Sequence, residues 1–394
     1  MPSISDDGRF VVFGSVAPDL VANDTTDWDV FLYDTSDGSL QIIGSPTDTD
    51  ATLYPEISGD GNTVAFYSRS SSFAGVSNSN YQVYTWDRET GEFTLVSRTP
   101  EGGLGNSSAQ IYDIDLSDAG QFLVFDSYAN NLVPNDAGGG DIFRADLNQI
   151  PDIPNLIRPV EFSIAGDYAG DDTLTVEVDW DGDNSIDETI ALDVGETSAN
   201  VFREFDQGTD TTVTIGLVDQ SGVGFSETVG VQTAEDGDDI TLVSSDVDGV
   251  QGNSSSYESS VSGNGRYVVF ESNSSNLDLD DTETYNDIFR KDRETGEIQL
   301  VSSTTAGDNT SGYSYFESGT TISDDGRYGV FRSNDTGLLG VSGTQVYRKD
   351  METGTLELVS DTSDGTAGNS TSYYATISGD GRYVAFSSNS TNLS

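Results

Sequence analysis

The sequence contains no cysteine and no histidine. The first absence excludes disulfides, thiolate zinc sites and thiol nucleophiles. The second excludes Ser-His-Asp and Cys-His arrangements and removes the commonest transition-metal ligand. Lysine is nearly missing, standing only at Lys291 and Lys349. No stretch reaches the roughly 18 apolar residues of a membrane-spanning helix. The opening MPSISDDGRF has neither the basic region nor the apolar core of a signal peptide. Carboxylates, hydroxyls and oxygen-ligated hard cations are the chemistry that remains.

What is present is acid. Of 394 residues, 68 are Asp or Glu against 16 Lys or Arg, a formal charge of −52, while 34% hydrophobic residues are enough to bury real cores. Such a surface repels duplex DNA and anionic membranes and attracts cations. Abundant Asp with little Lys resembles the composition of halophilic or marine proteins, in which charge maintains solvation under strong screening.

Six segments align without gaps: ISDDGRFVVF (4–13), ISGDGNTVAF (57–66), LSDAGQFLVF (116–125), VSGNGRYVVF (261–270), ISDDGRYGVF (322–331) and ISGDGRYVAF (377–386). Their turn glycines, Gly8, Gly61, Gly120, Gly265, Gly326 and Gly381, recur at intervals of about 57 residues, save between Gly120 and Gly265. Asp-Gly or Asn-Gly between apolar runs is a hairpin signal, because glycine tolerates positive φ and Asx side chains bond their own backbone. A third strand follows as VFLYD (30–34), VYTWD (83–87), IFRAD (142–146), IFRKD (288–292) or VYRKD (346–350). The fourth reads FTLVS (93–97), IQLVS (298–302) or LELVS (356–360). Each unit is thus predicted to be a four-stranded antiparallel meander, the form of a propeller blade.

This pattern resembles the TolB-type, WD-repeat-like β-propeller repeats over about 1–147 and 239–394. The resemblance implies a scaffold or binding platform and no catalytic residue. The long interval is an insertion: after Asp146 the fourth strand of unit three, ITLVS, appears only at 240–244. The insert, 151–238, carries alternating segments at 159–165, 173–180, 199–205, 212–219 and 225–233, the outline of an immunoglobulin-like sandwich. VEVDWDGD (176–183) and TVTIGLVDQSG (212–222) resemble PKD domains.

Several acidic clusters are candidates for chemistry. Asp179, Asp181, Asp183 and Asp187 in DWDGDNSID would converge oxygen ligands on calcium, or form a solvated Asp-Gly hairpin; Gly182 and Ile190 depart from the EF-hand pattern. Before the third strand stand Asp24, Asp27 and Asp29, then Asp136 and Asp141, then Asp281 and Asp287, with Gln82 and Gln345 replacing the last Asp elsewhere. That replacement favours Asx capping over a metal site in every repeat. The recurrent Arg9, Arg266, Arg327 and Arg382 suit structural pairing with nearby Asp, or an anion-gripping channel. A sialidase-type Asp box needs a later glycine and a tryptophan, which SDDG lacks, so no enzyme is expected.

The expectation is therefore an all-β protein: a six-bladed β-propeller whose sixth blade is incomplete, with an inserted immunoglobulin-like β-sandwich. Residues 1–150 form blades one to three, 151–238 the PKD-like insert, and 239–394 the end of blade three, blades four and five and half of blade six. The chain is expected to be a fragment of a longer exported protein, extracellular, cell-surface or periplasmic. It would act as a non-catalytic scaffold binding a protein or polymer on a propeller face. The alternative is a calcium-dependent carbohydrate-binding or glycan-processing accessory.

Overall fold

A computed structural model describes residues 2–22, 27–44, 52–70, 73, 80–100, 102–148, 160–163, 175–179, 185–191, 198–201, 210–218, 224–232, 240–278, 281, 285–309, 311–316 and 321–393. The chain divides into two compact units, Met1–Ile150 with Asp239–Ser394, and Pro151–Asp238. The described residues are all-β apart from one short helix, Thr336–Leu339, capped by the Asp335 carboxylate and by a left-handed Gly340.

In the first unit each repeat folds as its own antiparallel sheet in sequence order. Sheet one runs Ser3–Ile4, Phe10–Ser15, Asp29–Asp34, Leu40–Ile43, and sheet two Thr52–Ile57, Thr63–Ser68, Gln82–Asp87, Phe93–Leu95. Sheet three runs Ala109–Leu116, Phe122–Ser127, Asp141–Asp146, and takes Ile240–Leu242 as its fourth strand, beyond the insert. Sheet four is Ser256–Val261, Tyr267–Ser272, Asp287–Asp292, Ile298–Leu300, and sheet five Ser314–Tyr315, Tyr328–Ser333, Gln345–Asp350, Leu356–Leu358. Sheet six has two strands among the described residues, Ser372–Ile377 and Val384–Ser388. These four-stranded meanders have the form of propeller blades.

The Asp-Gly turn is self-contained. Ser5 Oγ donates to Asp7 Oδ1 at 2.7 Å and accepts the Phe10 N–H at 3.0 Å, and Gly8, at φ 70°, donates its N–H to Ser5 O. The same bonds recur around Ser58, Ser323 and Ser378, and with Asn264 at Ser262. Beyond the turn, the repeat's Phe stacks on the aromatic ring opposite it in the third strand. The pairs Phe13–Phe31, Phe66–Tyr84, Phe125–Phe143, Phe270–Phe289 and Phe331–Tyr347 have ring centroids 5.6–6.0 Å apart. Most of these rings are wholly buried, and they hold each sheet's middle strands in register.

Neighbouring sheets meet through the turn glycines. A Cβ at Gly61 would lie 2.7 Å from the Phe10 ring of sheet one, and at Gly265, Gly326 and Gly381 it would overlap Phe122, Tyr267 and Tyr328 of the preceding sheet. Arginines stack on the same rings, Arg88 over Phe10, Arg144 over Phe122, Arg290 over Tyr267 and Arg348 over Tyr328, and three of them, Arg88, Arg290 and Arg348, also donate to the carbonyl of the turn glycine, Gly61, Gly326 and Gly381. At Gly8 a Cβ would meet nothing within 4 Å, and Tyr383, next in the series of rings, is 66% exposed. Backbone bonds link turn to turn, from Asp6 N–H to Gly59 O, Asp60 to Asp118, Asp118 to Gly263, Asn264 to Asp324 and Asp324 to Gly379. At the other end of the sheets, Thr52 N–H donates to Trp28 O, Ala109 to Tyr81, Ser256 to Gly140, Ser314 to Asn286 and Ser372 to Thr344.

Lys291 and Lys349, the two lysines, are buried, and their ammonium groups donate to carbonyls of the loop after the preceding sheet's fourth strand, Ser245 and Asp246 in one case, Ser303 and Thr304 in the other. Burial lowers both to about 8.

The serine of each Leu-Val-Ser closes its sheet from within. Ser360 Oγ accepts the Val346 N–H at 3.0 Å and donates to Gln345 Oε1 at 2.6 Å; Ser97, Ser244 and Ser302 do the same for Gln82, Asp141 and Asp287. Ser360→Ala would leave a buried N–H and a buried acceptor without this partner. We expect a loss of about 2–3 kcal/mol of stability, read from the urea unfolding midpoint.

In the second unit the described strands form two sheets. Val160–Ser163 pairs with Ser198–Val201, and a four-stranded sheet is ordered Glu188–Ala191, Thr175–Asp179, Asp210–Val218, Gly224–Gln232. The strand Glu188–Ala191 has no counterpart in the sequence reading, because ETIA is too short to show alternation.

Candidate functional site

Between sheets one and two lies a cavity of about 530 Å³, lined by Phe13, Gly14, Trp28, Leu53, Tyr54 and Tyr81 together with two prolines. Three local features build it. Trp28 immediately precedes the third strand of sheet one, anchored by its carbonyl to Thr52. Gly14 carries no side chain: a Cβ there would already lie 3.4 Å from the indole, so the glycine admits the ring against the second strand. Opposite, the inner strand of sheet two shifts register between Leu53 and Glu56, and Tyr54 takes a left-handed φ of 50°. Tyrosine rarely adopts that backbone, and here it turns the residue toward the cavity. Trp28 remains 49% exposed. The described lining residues include no carboxylate and no amine. Aromatic walls with phenolic tips suit the apolar face of a ring or chain with hydroxyls at its rim.

Where the inner strands come together, one position in each carries an oxygen-bearing side chain: Ser3, Glu56, Asp115, Ser260, Thr321 and Thr376, paired where the strands ladder with Val12, Ala65, Val124, Val269 and Ala385. Ser3 Oγ donates to Glu56 Oε1 at 2.7 Å, and Ser260 Oγ and the Val261 N–H donate to Asp115 Oδ2 at 2.7 and 2.8 Å. Burial, with the Asp115 charge beside it, pushes Glu56 up to about 8; burial pushes Asp115 up to about 6.

Three residues further along, the turns alternate Asp6, Gly59, Asp118, Gly263, Asp324, Gly379, and each carboxylate lies against the next sheet's glycine, where a Cβ would clash. Asp118 and Asp324 are raised first by burial, and then by Asp324 and Asp6 acting on Asp118 and by Asp6 on Asp324. The turns of sheets one, three and five therefore converge.

The residues singled out from the sequence fall as follows. Asp179 is buried in a strand opposite Thr214, Asp187 is exposed with its N–H on Val178 O, and Asp181 and Asp183 lie outside the described residues, as does Asp24. Among the described residues no three acidic side chains are grouped so as to hold a metal ion. Asp136 and Asp141 are brought together by Gln251 Nε2, at 3.2 and 2.7 Å. Asp141 and Asp287, raised by burial to about 6 and about 7, accept the fourth-strand serine hydroxyls rather than capping a turn. Arg9, Arg266 and Arg327 grip Asp34, Asp292 and Asp350, the final Asp of each third strand, while Arg382 lies 3.9 Å from Asp380. Trp28, Tyr54 and Tyr81 were not anticipated; the signal available was an aromatic residue just before a third strand, at positions 28 and 81.

No protein-family profile and no curated protein matches the sequence. The chain is similar to several solved structures. One, a chain of a mitotic checkpoint complex, is 10% identical with a TM-score of 0.33, over 98% of this chain and 83% of that one. Another, an oligogalacturonate lyase from Vibrio parahaemolyticus, is 12% identical with a TM-score of 0.35, over 98% and 84%. A third, the Dos1 propeller, is 12% identical with a TM-score of 0.25, over 100% and 90%.

Proposed function

We propose that the protein is a non-catalytic, exported binding scaffold. In this reading it is a six-bladed, TolB-type β-propeller, with an immunoglobulin-like, PKD-like domain inserted in the third blade and a sixth blade of which two strands are described. Its aromatic cleft grips a neutral polymer, and the unit that fits best is a sugar ring of an uncharged glycan. The observation that carries the reading is the cleft itself: Trp28 half exposed on Gly14, facing Tyr54 and Tyr81 across a cavity of about 530 Å³. Supporting it, the formal charge of −52 disfavours polyanions, so apolar faces and hydroxyls are the contacts left to a polymer. Repetition of one sheet six times, with the side chains of the clefts varied, suits a platform for recognition. An acid-rich composition, which maintains solvation under strong screening, suits an extracellular, cell-surface or periplasmic setting.

The test is calorimetric titration with neutral oligosaccharides, polyuronates and apolar peptides. Neutral oligosaccharides should bind, and Trp28→Ala should weaken them at least tenfold, about 1.4 kcal/mol or more, without changing the melting temperature by more than a few degrees. Binding that persists in EDTA separates this reading from calcium-dependent carbohydrate binding through the Asp179–Asp187 loop. Binding of apolar peptides alone would make the cleft a protein-docking site, and unaltered glycan affinity in Trp28→Ala would remove the cleft from the function.

A further inference from the structure

The boundary between sheets four and five carries a second group of aromatic rings, at the same end of the sheets as the first cleft. There the Ser314 N–H bonds Asn286 O, as the Thr52 N–H bonds Trp28 O between sheets one and two. Tyr285, just before the third strand of sheet four, sets its ring edge-on to Tyr313, with centroids 5.0 Å apart and planes at 83°. Tyr313 and Tyr315, at the start of sheet five, lie parallel within 10°, with centroids 6.1 Å apart. Tyr313 is 42% exposed, and the other two rings are half-buried.

The repeat does not call for these rings. Tyr313 takes its place through its carbonyl, which accepts the Asn334 N–H; Ser108 accepts the same bond from Tyr128, Ser255 from Asn273 and Thr371 from Asn389. Three other sheets therefore form with a small hydroxyl residue where sheet five has tyrosine. The residue two before the third strand's first is Asp27, Asn80, Gly139 and Gly343 in sheets one, two, three and five, and Tyr285 in sheet four. One exposed tyrosine would need no explanation. Two that meet from separate sheets, at places the repeat otherwise gives to small or polar residues, make a surface.

The surroundings of the rings select a neutral ligand. The Arg332 guanidinium lies 4.8 Å from the Tyr315 centroid, so an incoming cation would meet a positive charge already on the rings. The formal charge of −52 opposes a polyanion. Asn334, exposed beside Tyr313, accepts the Tyr313 N–H through Oδ1 at 3.1 Å and keeps Nδ2 for a ligand hydroxyl. We propose that Tyr285, Tyr313 and Tyr315 form a second stacking platform for the neutral polymer of the Trp28 cleft, so that one linear glycan is held at two places on the same end of the sheets. This second site rests on the glycan reading of the first. Binding at two places on one chain makes the second contact intramolecular, so the gain appears only with ligands long enough to reach both. A trisaccharide reports the enclosed cleft; a polysaccharide reports both sites.

The test runs the full chain in native gels cast with hydroxyethylcellulose, arabinoxylan or galactomannan, and titrates it calorimetrically with trisaccharides cut from whichever polymer retards it. Tyr313→Ala should raise the apparent Kd for the polysaccharide roughly tenfold and leave trisaccharide binding within about twofold, whereas Trp28→Ala weakens both. Tyr313→Phe, which keeps the ring, should bind as the wild type does. Tyr33→Ala, which removes an exposed tyrosine near the Asp-Gly turns, should change neither affinity, and melting temperatures confirm that every variant is folded. Unchanged polysaccharide affinity in Tyr313→Ala, with Trp28→Ala impaired, overturns the platform and leaves the cleft standing. Equal losses on polysaccharide and trisaccharide in Tyr313→Ala would make Tyr313 a support of the cleft, which also overturns the platform. If no polysaccharide retards the wild type, the glycan reading fails and the second site falls with it.

Discussion

Gly265→Ala is expected to destabilise the protein by about 3–5 kcal/mol, whereas Gly8→Ala, the same substitution in the same turn, should cost only about 1–2 kcal/mol. Both glycines are left-handed, at φ 72° and 70°, so the backbone penalty is shared and cancels in the difference. What differs is the neighbour. The new methyl at Gly8 meets nothing within 4 Å, while at Gly265 it falls inside the Phe122 ring of sheet three. That ring is closely packed, with the Arg144 guanidinium 3.9 Å from its centroid. The methyl must therefore separate sheets three and four, disturbing the bond from Asp118 N–H to Gly263 O as well. Overpacking of this kind adds about 1–3 kcal/mol or more to the conformational term. The difference should appear as a gap in melting temperature on the order of 10 °C. Equal losses in the two variants would mean that the turn glycines serve the turn alone.

That contrast also marks how far the sequence could be read. The repeat, the strand order and the far-displaced fourth strand of sheet three were legible because each depends on local signals, Asp-Gly turns and Leu-Val-Ser, that recur. The second task of Gly61 or Gly265, receiving an aromatic ring, was not, since Phe10 and Phe122 belong to the preceding repeat and only packing joins them. The alternation SDDG, SGDG, SDAG, SGNG, SDDG, SGDG stood in plain view, yet it acquires meaning only when the turns converge and each Asp needs a neighbour without a side chain. The aromatic cleft was hidden for a different reason. It depends on a tyrosine in a backbone region that tyrosine rarely enters, at a register shift that no pattern of alternation announces. The serine hydroxyls that satisfy Asp141, Asp287 and Gln345 show why Asp and Gln interchange there: each supplies one acceptor to the same donor.

Stability should be greatest near pH 4–5 and fall as the pH rises toward 8, and Glu56→Gln should remove much of that fall. The sign follows from the direction of the shifts. Glu56 and Glu271 are raised to about 8, Asp287 to about 7, and Asp115 and Asp141 to about 6, each chiefly by burial. In the unfolded chain these groups ionise near pH 4, while the folded protein keeps them protonated. Between the two values the unfolded state is favoured by about 1.4 kcal/mol per pH unit for each group, until the folded pKa is passed. Asp292 and Asp350, lowered to about 2 by the guanidinium groups of Arg266 and Arg327, act in the opposite window, adding stability above about pH 4 that is lost as the pH falls toward 2. Glu56 is the most informative group to change. An amide keeps an oxygen for the Ser3 hydroxyl, which donates at 2.7 Å, but carries no charge to set against Asp115. Glu56→Gln should therefore match the wild type at pH 4.5 and exceed it at pH 8 by on the order of 2 kcal/mol, after discounting for the solvent that reaches this half-buried side chain. Urea midpoints at the two pH values decide it. A gap of the same size at both would show that Glu56 contributes by packing, and that its ionisation is not what the folded state resists.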